Sequence, residues 1–331
     1  MKINNTLVKK NSKPYIIAEI GSNFDQSIEK AKQLIDVARN SKANAVKFQL
    51  FKAKNLYSKS HPFYKVFKDI ELKYGWLKEL KKYANDLKLD FIVSPFDLES
   101  AKFLNKINID CFKIASSELT NFRLNEYIAS LNKPVIVSTG MSEIKDIENT
   151  LKIYQKFGNF NISILQCTSL YPTQTKFLNL NVIKQFNHNY EYTIGFSDHT
   201  LSNVNAITAV GLGSRIFEKH ITINKNSPGP DHFYALEPIE FKNYVRDIMS
   251  SFKSLGNKSK LFLAEERKLS RRRGIYAKNN IKKGTKITKS NIKFMSPPLG
   301  LTERSYDKIK NMKTVNFLKK NQPILLKDFK N

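Results

Sequence analysis

A closed (β/α)8 barrel, the TIM barrel, followed by a small C-terminal domain is the architecture this sequence predicts. Three observations predict it. Short apolar runs alternate eight times with amphipathic, helix-like segments between Tyr15 and Leu255, which is the count and size of a β/α barrel. The runs are nearly continuous, as in Ile16-Ile17-Ala18, Val135-Ile136-Val137 and Ile162-Ser163-Ile164-Leu165. Both faces of such strands are buried, as in a parallel sheet covered by helices. After Gly256 the pattern changes: the alternation shortens and turn residues fall every few positions.

The elements follow in order. Tyr15–Asn23 reads as the first strand and Ser27–Asn40 as its helix. Ala45–Phe51 is the second strand, followed by a long connection over 52–74 and a helix over Trp76–Lys88. Asp90–Phe96 pairs with Leu98–Lys106, Cys111–Ser117 with Phe122–Leu131, and Pro134–Gly140 with Glu143–Phe157. Ser163–Ser169 precedes Leu180–Phe186, Tyr192–His199 precedes Asn203–Gly211, and Arg215–Thr222 precedes Pro238–Leu255. An open doubly wound sheet would normally place a glycine-rich dinucleotide turn after strand one; Ile20-Gly21-Ser22-Asn23 is not one. The domains are therefore expected as a barrel over 1–256, a charged linker over 257–273 and a compact unit over 274–331. The last is too small for a large core of its own.

The chain of 331 residues carries a formal net charge of +27. Such a charge raises nucleic-acid binding as a reading. The excess is almost all lysine, with nine arginines, and it is spread over most helical segments instead of one patch. A solvated lysine surface is the better account, and neither nucleic acid nor membrane is an expected partner. No run approaches the roughly eighteen apolar residues of a membrane span. The basic start does not read as a signal peptide. Cys111 and Cys167 lie in strand-like runs and read as buried thiols, so the expected compartment is cytoplasmic.

Catalytic groups of a β/α barrel sit where strands end. The strand ends here carry Glu19 and Asn23, then Lys47 and Gln49, then Ser94, then Lys113, Ser116, Ser117 and Glu118. Ser138 and Thr139, Thr168, Ser169 and Tyr171, and Ser197, Asp198, His199 and His220 complete the set. His199 and His220 end consecutive strands, where two imidazoles can share one divalent transition ion. Glu19 and Asp198 are candidate direct or water-mediated partners; His61, His188 and His232 fall in predicted loops. Lys47 and Lys113 lie in apolar runs, and a buried ammonium needs a counter-charge. That charge is either an internal carboxylate, Glu19 or Glu118, or a bound phosphate or carboxylate assisted by Ser116, Ser138, Ser169 and Ser197. A Schiff-base lysine is a third option. Ser227-Pro-Gly-Pro-Asp-His232 is a rigid turn that presents Asp231.

These segments also carry a resemblance. Ala18-Glu-Ile-Gly-Ser-Asn23, Val46-Lys-Phe-Gln49, Ser94-Pro-Phe96, Phe112-Lys-Ile-Ala-Ser-Ser-Glu118, Val137-Ser-Thr-Gly-Met141, Cys167-Thr-Ser-Leu-Tyr-Pro-Thr173, Gly195-Phe-Ser-Asp-His-Thr200, Glu218-Lys-His220 and Pro228-Gly-Pro-Asp-His232 resemble the sialic acid (N-acetylneuraminate) synthase family, with its legionaminate and pseudaminate relatives. Arg273-Gly-Ile-Tyr-Ala-Lys-Asn-Asn-Ile-Lys-Lys-Gly284 resembles the antifreeze-like (SAF, β-clip) domain that ends such enzymes. The resemblance implies a carbon–carbon bond-forming transferase. Phosphoenolpyruvate condenses with a six-carbon amino sugar and water to give a nine-carbon 2-keto sugar acid and phosphate. It implies Mn²⁺, with Mg²⁺ or Co²⁺ as substitutes, on His199 and His220. Lys47, Lys113, Ser116, Ser138, Ser169 and Ser197 would hold phosphoenolpyruvate. Glu118 would orient or deprotonate water or phosphate oxygens, and Glu19, Gln49, Tyr171 and Asp231 would face the sugar or the metal's waters. It also implies a domain-swapped homodimer. Other enzymes condensing phosphoenolpyruvate with an aldose are the nearest rivals, and the antifreeze-like tail argues against them. Two positions depart from the pattern: Phe24 follows Asn23 where a histidine is usual, and Ser296-Pro297 stands where an Arg-Pro pair is usual. The loop after strand two also departs.

Overall fold

Eight parallel strands close into a barrel in the computed structural model, which describes residues 1–269 and 271–329. They are β1 (Tyr15–Gly21), β2 (Ala45–Leu50), β3 (Asp90–Pro95), β4 (Cys111–Ile114), β5 (Val135–Ser138), β6 (Ile162–Cys167), β7 (Thr193–Asp198) and β8 (Ile216–His220). β8 pairs back onto β1, with His220 opposite Glu19, and this closes the ring. The outer helices are α1 (Ile28–Asn40), α2 (Leu77–Asp86), α3 (Leu98–Lys106), α4 (Phe122–Ser130), α5 (Ile144–Lys156), α6 (Asn181–Asn189), α7 (Asn203–Gly211) and α8 (Pro238–Ser254). Their starts follow local chemistry. Ser27 and Asp97 accept from backbone N–H groups of Lys30 and Ser100, and Pro238 opens α8 behind a Glu237–Glu240 capping box.

The pleat sorts each strand into two rows. The outward row, including Ile16, Val46, Phe91, Phe112, Val137, Ile164, Ile194 and Phe217, joins the helices in one large apolar core. The inward row is layered along the barrel. Tyr15, Ile17, Ala45, Ile92, Cys111, Ile136, Leu165 and Ile216 form an apolar floor, with Ile3 and Val8. A small hairpin, Lys2–Ile3 against Thr6–Leu7, contributes Ile3, and Val8 follows it directly; no sequence pattern marks it. Two residues further along each strand the inward positions turn polar, and this puts the chemistry at the strands' C-terminal ends.

The connection over 52–74 is not structureless: it folds into short helices Ala53–Leu56 and Phe63–Asp69. Phe24 packs at the edge of the outer core, its ring 6.3 Å from Trp76 and 6.4 Å from Phe48, and it is fully buried. It is a core residue, and its departure from the family pattern does not remove a group from the cavity described below.

The chain divides into two compact units, Met1–Gly256 and Asn257–Asn331. The second begins with a short helix, α9 (Ala264–Lys268), inside the stretch expected as linker. Antiparallel strands β9 (Gly274–Ala277) and β10 (Ile292–Met295) follow, with isolated bridges around them. Its own core gathers Ile275, Ile281, Ile287, Ile292, Ile309, Leu318 and Ile324. In this unit Ser296 Oγ donates to the carbonyls of Arg271 and Arg272.

Candidate active site

A cavity of about 390 Å³ opens at the C-terminal ends of the barrel strands. Lys47, Gln49, Lys113, Ser116, Ser138, Ser169, Tyr171, Ser197, His199, His220 and Asp231 line it, so the structure brings eleven of the thirteen expected residues to one cavity. Glu19 lies directly behind, fully buried. Glu118 is the exception. It stands half-buried in the turn Ser116–Glu118, does not line the cavity, and accepts from Asn121 Nδ2 at 2.8 Å. Burial nevertheless raises its pKa above the usual carboxyl range. A larger groove of about 730 Å³ lies beside the cavity, sharing Met141, Cys167 and Ser169 with it. It carries neither ammonium nor imidazole among its lining residues, so it cannot perform the same chemistry.

The two lysines are held by carboxylates. Lys47 Nζ lies 2.8 Å from Glu19 Oε2 and 3.6 Å from Glu218 Oε1, while Lys113 Nζ lies 3.8 Å from the same Glu218 oxygen and donates to Ser138 Oγ at 2.6 Å. Glu19 is therefore an internal counter-charge, as one reading of the sequence allowed, but the second is Glu218 and not Glu118. Glu218 was quoted in the sequence only as part of a motif. Its signal was available: two residues before His220 on a strand, it must face the same way. Burial resists ionisation of both carboxyls. It pushes Glu19 up to about 6 despite Lys47, whereas Lys113, Lys47 and the imidazoles hold Glu218 below the usual range. Burial also lowers Lys113, only partly offset by Glu218. Four ionisable groups thus share one buried network, in which Glu218 also accepts from Ser197 Oγ at 3.1 Å, while its lysine contacts, at 3.6 and 3.8 Å, are long enough to be yielded to a ligand.

Beside the lysines, Gly140 N–H donates to Ser116 Oγ at 3.0 Å. A Cβ on Gly140 would come within 2.2 Å of Ser169 Oγ and 2.8 Å of Ser116 Oγ, so the approach of β5 to these hydroxyls requires glycine. Ser169 Oγ is buried without a protein partner. An unpaired buried hydroxyl is costly, and a phosphate oxygen would satisfy it.

The histidines join the same lining at the ends of β7 and β8. Their ring centroids are 5.6 Å apart, and Tyr171 stacks 4.2 Å from His199 while Tyr234 lies 5.0 Å from His220. His199 Nδ1 lies 2.9 Å from the Thr168 carbonyl, which can only accept. Nδ1 must carry the hydrogen, and Nε2 keeps its lone pair for a metal. Burial lowers His220 to about 3, so it is neutral as a ligand must be. Among the described residues no group of three or more His, Cys, Asp and Glu is placed to hold an ion. Burial opposes the charged form of His199, but Cys167 and the Thr168 carbonyl raise its pKa, so a metal there would have to displace a proton. Two imidazoles with remaining positions left to water or substrate oxygen fit an open divalent site. Asp198 takes no part: it pairs with Lys219 at 3.2 Å and accepts from Thr200 N–H. His61 stacks on Tyr57, and His188 lies on α6, both away from the cavity lining.

Cys167 also lines the cavity, and burial of its thiol is outweighed chiefly by His199, which draws the pKa down to about 7. It was read only as a buried thiol, which it is. Phe67, Phe96, Pro230 and Tyr234 add an apolar and aromatic wall; Phe67 comes from the connection that had no sequence pattern to place it.

Both units of the chain have counterparts among known proteins. The NeuB family model matches residues 34–260 and the SAF domain model residues 272–330. The chain is 36% identical to the N,N'-diacetyllegionaminic acid synthase of Campylobacter jejuni, over 89% of this chain and 94% of the relative. The crystal structure of the Bacillus subtilis spore coat polysaccharide biosynthesis protein SpsE superposes with a TM-score of 0.72 at 32% identity, covering 100% of this chain and 99% of that one. The N-acetylneuraminic acid synthetase of Leptospira borgpetersenii gives a TM-score of 0.77 at 29% identity, over 81% and 94%.

Proposed function

The chain belongs to the NeuB family, and from that premise we propose that it condenses phosphoenolpyruvate with an open-chain six-carbon acylamino sugar, N-acetylmannosamine or a 2,4-diacetamido relative. Water is consumed, and a nine-carbon 2-keto sugar acid and phosphate are released. The observation that carries this reading is the single cavity lining, which brings together two ammonium groups, the hydroxyls of Ser116, Ser138, Ser169 and Ser197, and two imidazoles.

In this reading Lys47 and Lys113 bind the phosphate and carboxylate of phosphoenolpyruvate, drawing away from Glu218 as they do so. Ser116, Ser138, Ser169 and Ser197 donate to the remaining oxygens. His199 and His220 would hold a divalent ion, Mn²⁺ first with Mg²⁺ or Co²⁺ able to replace it, and such an ion supplies Lewis-acid polarisation of a sugar aldehyde. C3 of phosphoenolpyruvate forms the new bond to the aldehyde carbon, whose oxygen becomes a hydroxyl. Water adds at C2, and the C2–O bond to phosphate breaks. Glu19, which burial pushes up to about 6, is the carboxyl suited to hold or accept a proton near neutral pH; Glu118, outside the cavity lining, would act only through an intervening water. Gln49, Tyr171 and Asp231 orient the sugar. A domain-swapped homodimer is the assembly this reading expects.

The test is phosphate release from phosphoenolpyruvate with Mn²⁺ and a panel of N-acetylmannosamine, its 6-phosphate and 2,4-diacetamido-2,4,6-trideoxyhexoses. At least one acceptor should give stoichiometric phosphate and keto acid; no release across the panel would refute the reaction.

A further inference from the structure

We propose that Asp25 and His232 form a clasp, its imidazole buried and its carboxylate partly exposed, that positions Asp231 and Tyr234 for the acceptor sugar. The proposal rests on the synthase reading for its substrate, and on geometry alone for the clasp. The loop after β8 runs from Thr222 to Leu236, its base tied by Thr222 N–H to the Leu236 carbonyl at 3.0 Å and by Leu236 N–H to the His220 carbonyl at 2.9 Å. Asp231 and Tyr234 project from it into the cavity. The adjacent His232 does not; it is 2% exposed and turns toward the loop after β1.

There its Nε2 lies 2.7 Å from Asp25 Oδ1, and its Nδ1 lies 2.7 Å from Thr222 Oγ1. An ionised carboxylate only accepts, so Nε2 carries the hydrogen and Nδ1 is left to accept from the threonine hydroxyl. Lys30 Nζ, 2.6 Å from Asp25 Oδ2, fixes the carboxylate from the other side. A Thr–His–Asp–Lys chain thus crosses from one loop to the other, and none of its members lines the cavity. Two backbone features serve it. Asp25 and Gln26 hold left-handed φ of 48° and 55°, which costs energy in a non-glycine residue and persists only where surroundings enforce it. Gly229 leaves room for the imidazole, since a Cβ there would stand 2.8 Å from His232 Cδ2.

A second, inner set of bonds shows what the clasp positions. Ser22 Oγ donates to Asp231 Oδ2 at 3.0 Å, and Tyr234 OH donates to Asp231 Oδ1 at 2.7 Å. Ser22 and Asp25 share one loop, and Asp231 and His232 share the other. The outer chain therefore holds the two loops at the separation the inner bonds need. Loss of it should loosen the sugar-facing carboxylate while leaving the lysine and serine wall, which comes from β2, β4, β5, β6 and β7, in place.

The experiment compares full-length His232→Ala, His232→Gln and Asp25→Ala with the wild type, using Mn²⁺, phosphoenolpyruvate and the acceptor that the wild type turns over. Amide exchange over residues 224–236 is measured on the same proteins without substrates. In His232→Ala and Asp25→Ala the acceptor KM should rise about tenfold or more, as expected for loss of a bond to a charged group. The KM for phosphoenolpyruvate should stay within about twofold and kcat within about threefold. His232→Gln, which keeps a donor toward Asp25, should recover most of the acceptor KM; if His232→Ala does not fold, Asp25→Ala and His232→Gln carry the comparison. Exchange over 224–236 should quicken about tenfold in Asp25→Ala and not elsewhere in the barrel. Equal losses toward both substrates, an unchanged acceptor KM, or unchanged exchange would each overturn the clasp. A wild type that turns over no acceptor sinks the synthase reading, and the exchange measurement still decides the clasp.

Discussion

Replacing Glu218 with Gln is the sharpest probe of the buried network. Glu218 is the carboxylate within ion-pair range of Lys113, whereas Lys47 keeps Glu19 at 2.8 Å. The substitution therefore strands one ammonium that is 2% exposed. Removing one partner of a buried pair costs about 3–5 kcal/mol. The lysine has one escape, which is to lose its proton; at pH 7 that costs at most about 4.6 kcal/mol, from a usual pKa of about 10.4. The two limits agree, so a loss of about 3 kcal/mol is expected, or roughly 6–12 °C in Tm for a domain of this size. The sign with pH also follows. Burial already sets Lys113 below its ordinary value. The unfolded chain then binds more protons than the folded one, and stability rises with pH. The variant's deficit should shrink by up to about 1.4 kcal/mol for each pH unit toward 10. Inorganic phosphate should also restore stability to the variant more than to the wild type, because the anion takes the place of the missing carboxylate. Thermal melts of both proteins at pH 7 and 9, with and without phosphate, make the measurement. Equal melting temperatures in phosphate-free buffer at pH 7 would show that Lys113 does not depend on Glu218.

Two further substitutions separate the walls of the cavity. His199→Ala removes the imidazole whose Nδ1 is fixed by the Thr168 carbonyl; bound Mn²⁺, measured by elemental analysis, should fall at least tenfold and turnover should vanish. Retention of the metal would refute the ligand assignment. Gly140→Ala places a methyl 2.2 Å from Ser169 Oγ, so the KM for phosphoenolpyruvate should rise at least tenfold with little change in the KM for the sugar, as read from initial rates of phosphate release. A larger change on the sugar side would refute the assignment of these hydroxyls to phosphoenolpyruvate.

What the sequence made legible follows from periodicity. Strand ends, and the polar groups on them, could be read because side chains alternate with period two and the apolar rows are continuous. Ala45, Lys47 and Gln49 show this on one strand, where a small apolar floor residue is followed by an ammonium and an amide. The same rule would have placed Glu218 beside His220, but the residue sits in a charged triplet, Glu-Lys-His, that does not look like a buried strand. Lys219 is accommodated on the outward face only because Asp198 waits there. Periodicity was also silent on the connection over 52–74, where Phe67 reaches the cavity from a seven-residue helix too short to show a helical repeat. Glu118 was misplaced for a related reason. The chain leaves β4 in a single tight turn, and whether a side chain in such a turn points inward depends on backbone angles that no pattern of residue types encodes.

The lysine excess of the surface and the lysine pair of the cavity are different phenomena. The net charge of +27 lies mainly on exposed side chains, whose field is screened over about 8 Å at physiological ionic strength. Inside the cavity the balance is almost even. Lys47 and Lys113 face Glu218 and Asp231, with Glu19 behind and its pKa near the upper edge of the carboxyl range. A pocket so balanced does not hold an anion by net charge. On the synthase reading it would hold one by geometry, because only a ligand that meets both ammonium groups and the unpaired Ser169 hydroxyl can offer Lys113 more than the 3.8 Å contact it gives up. The carboxylates keep the lysines charged and in place before the ligand arrives. On the synthase reading, selectivity for a small, multiply charged anion would reside in the spacing of β2, β4 and β6, which the barrel fixes, and would survive any redistribution of the lysines outside.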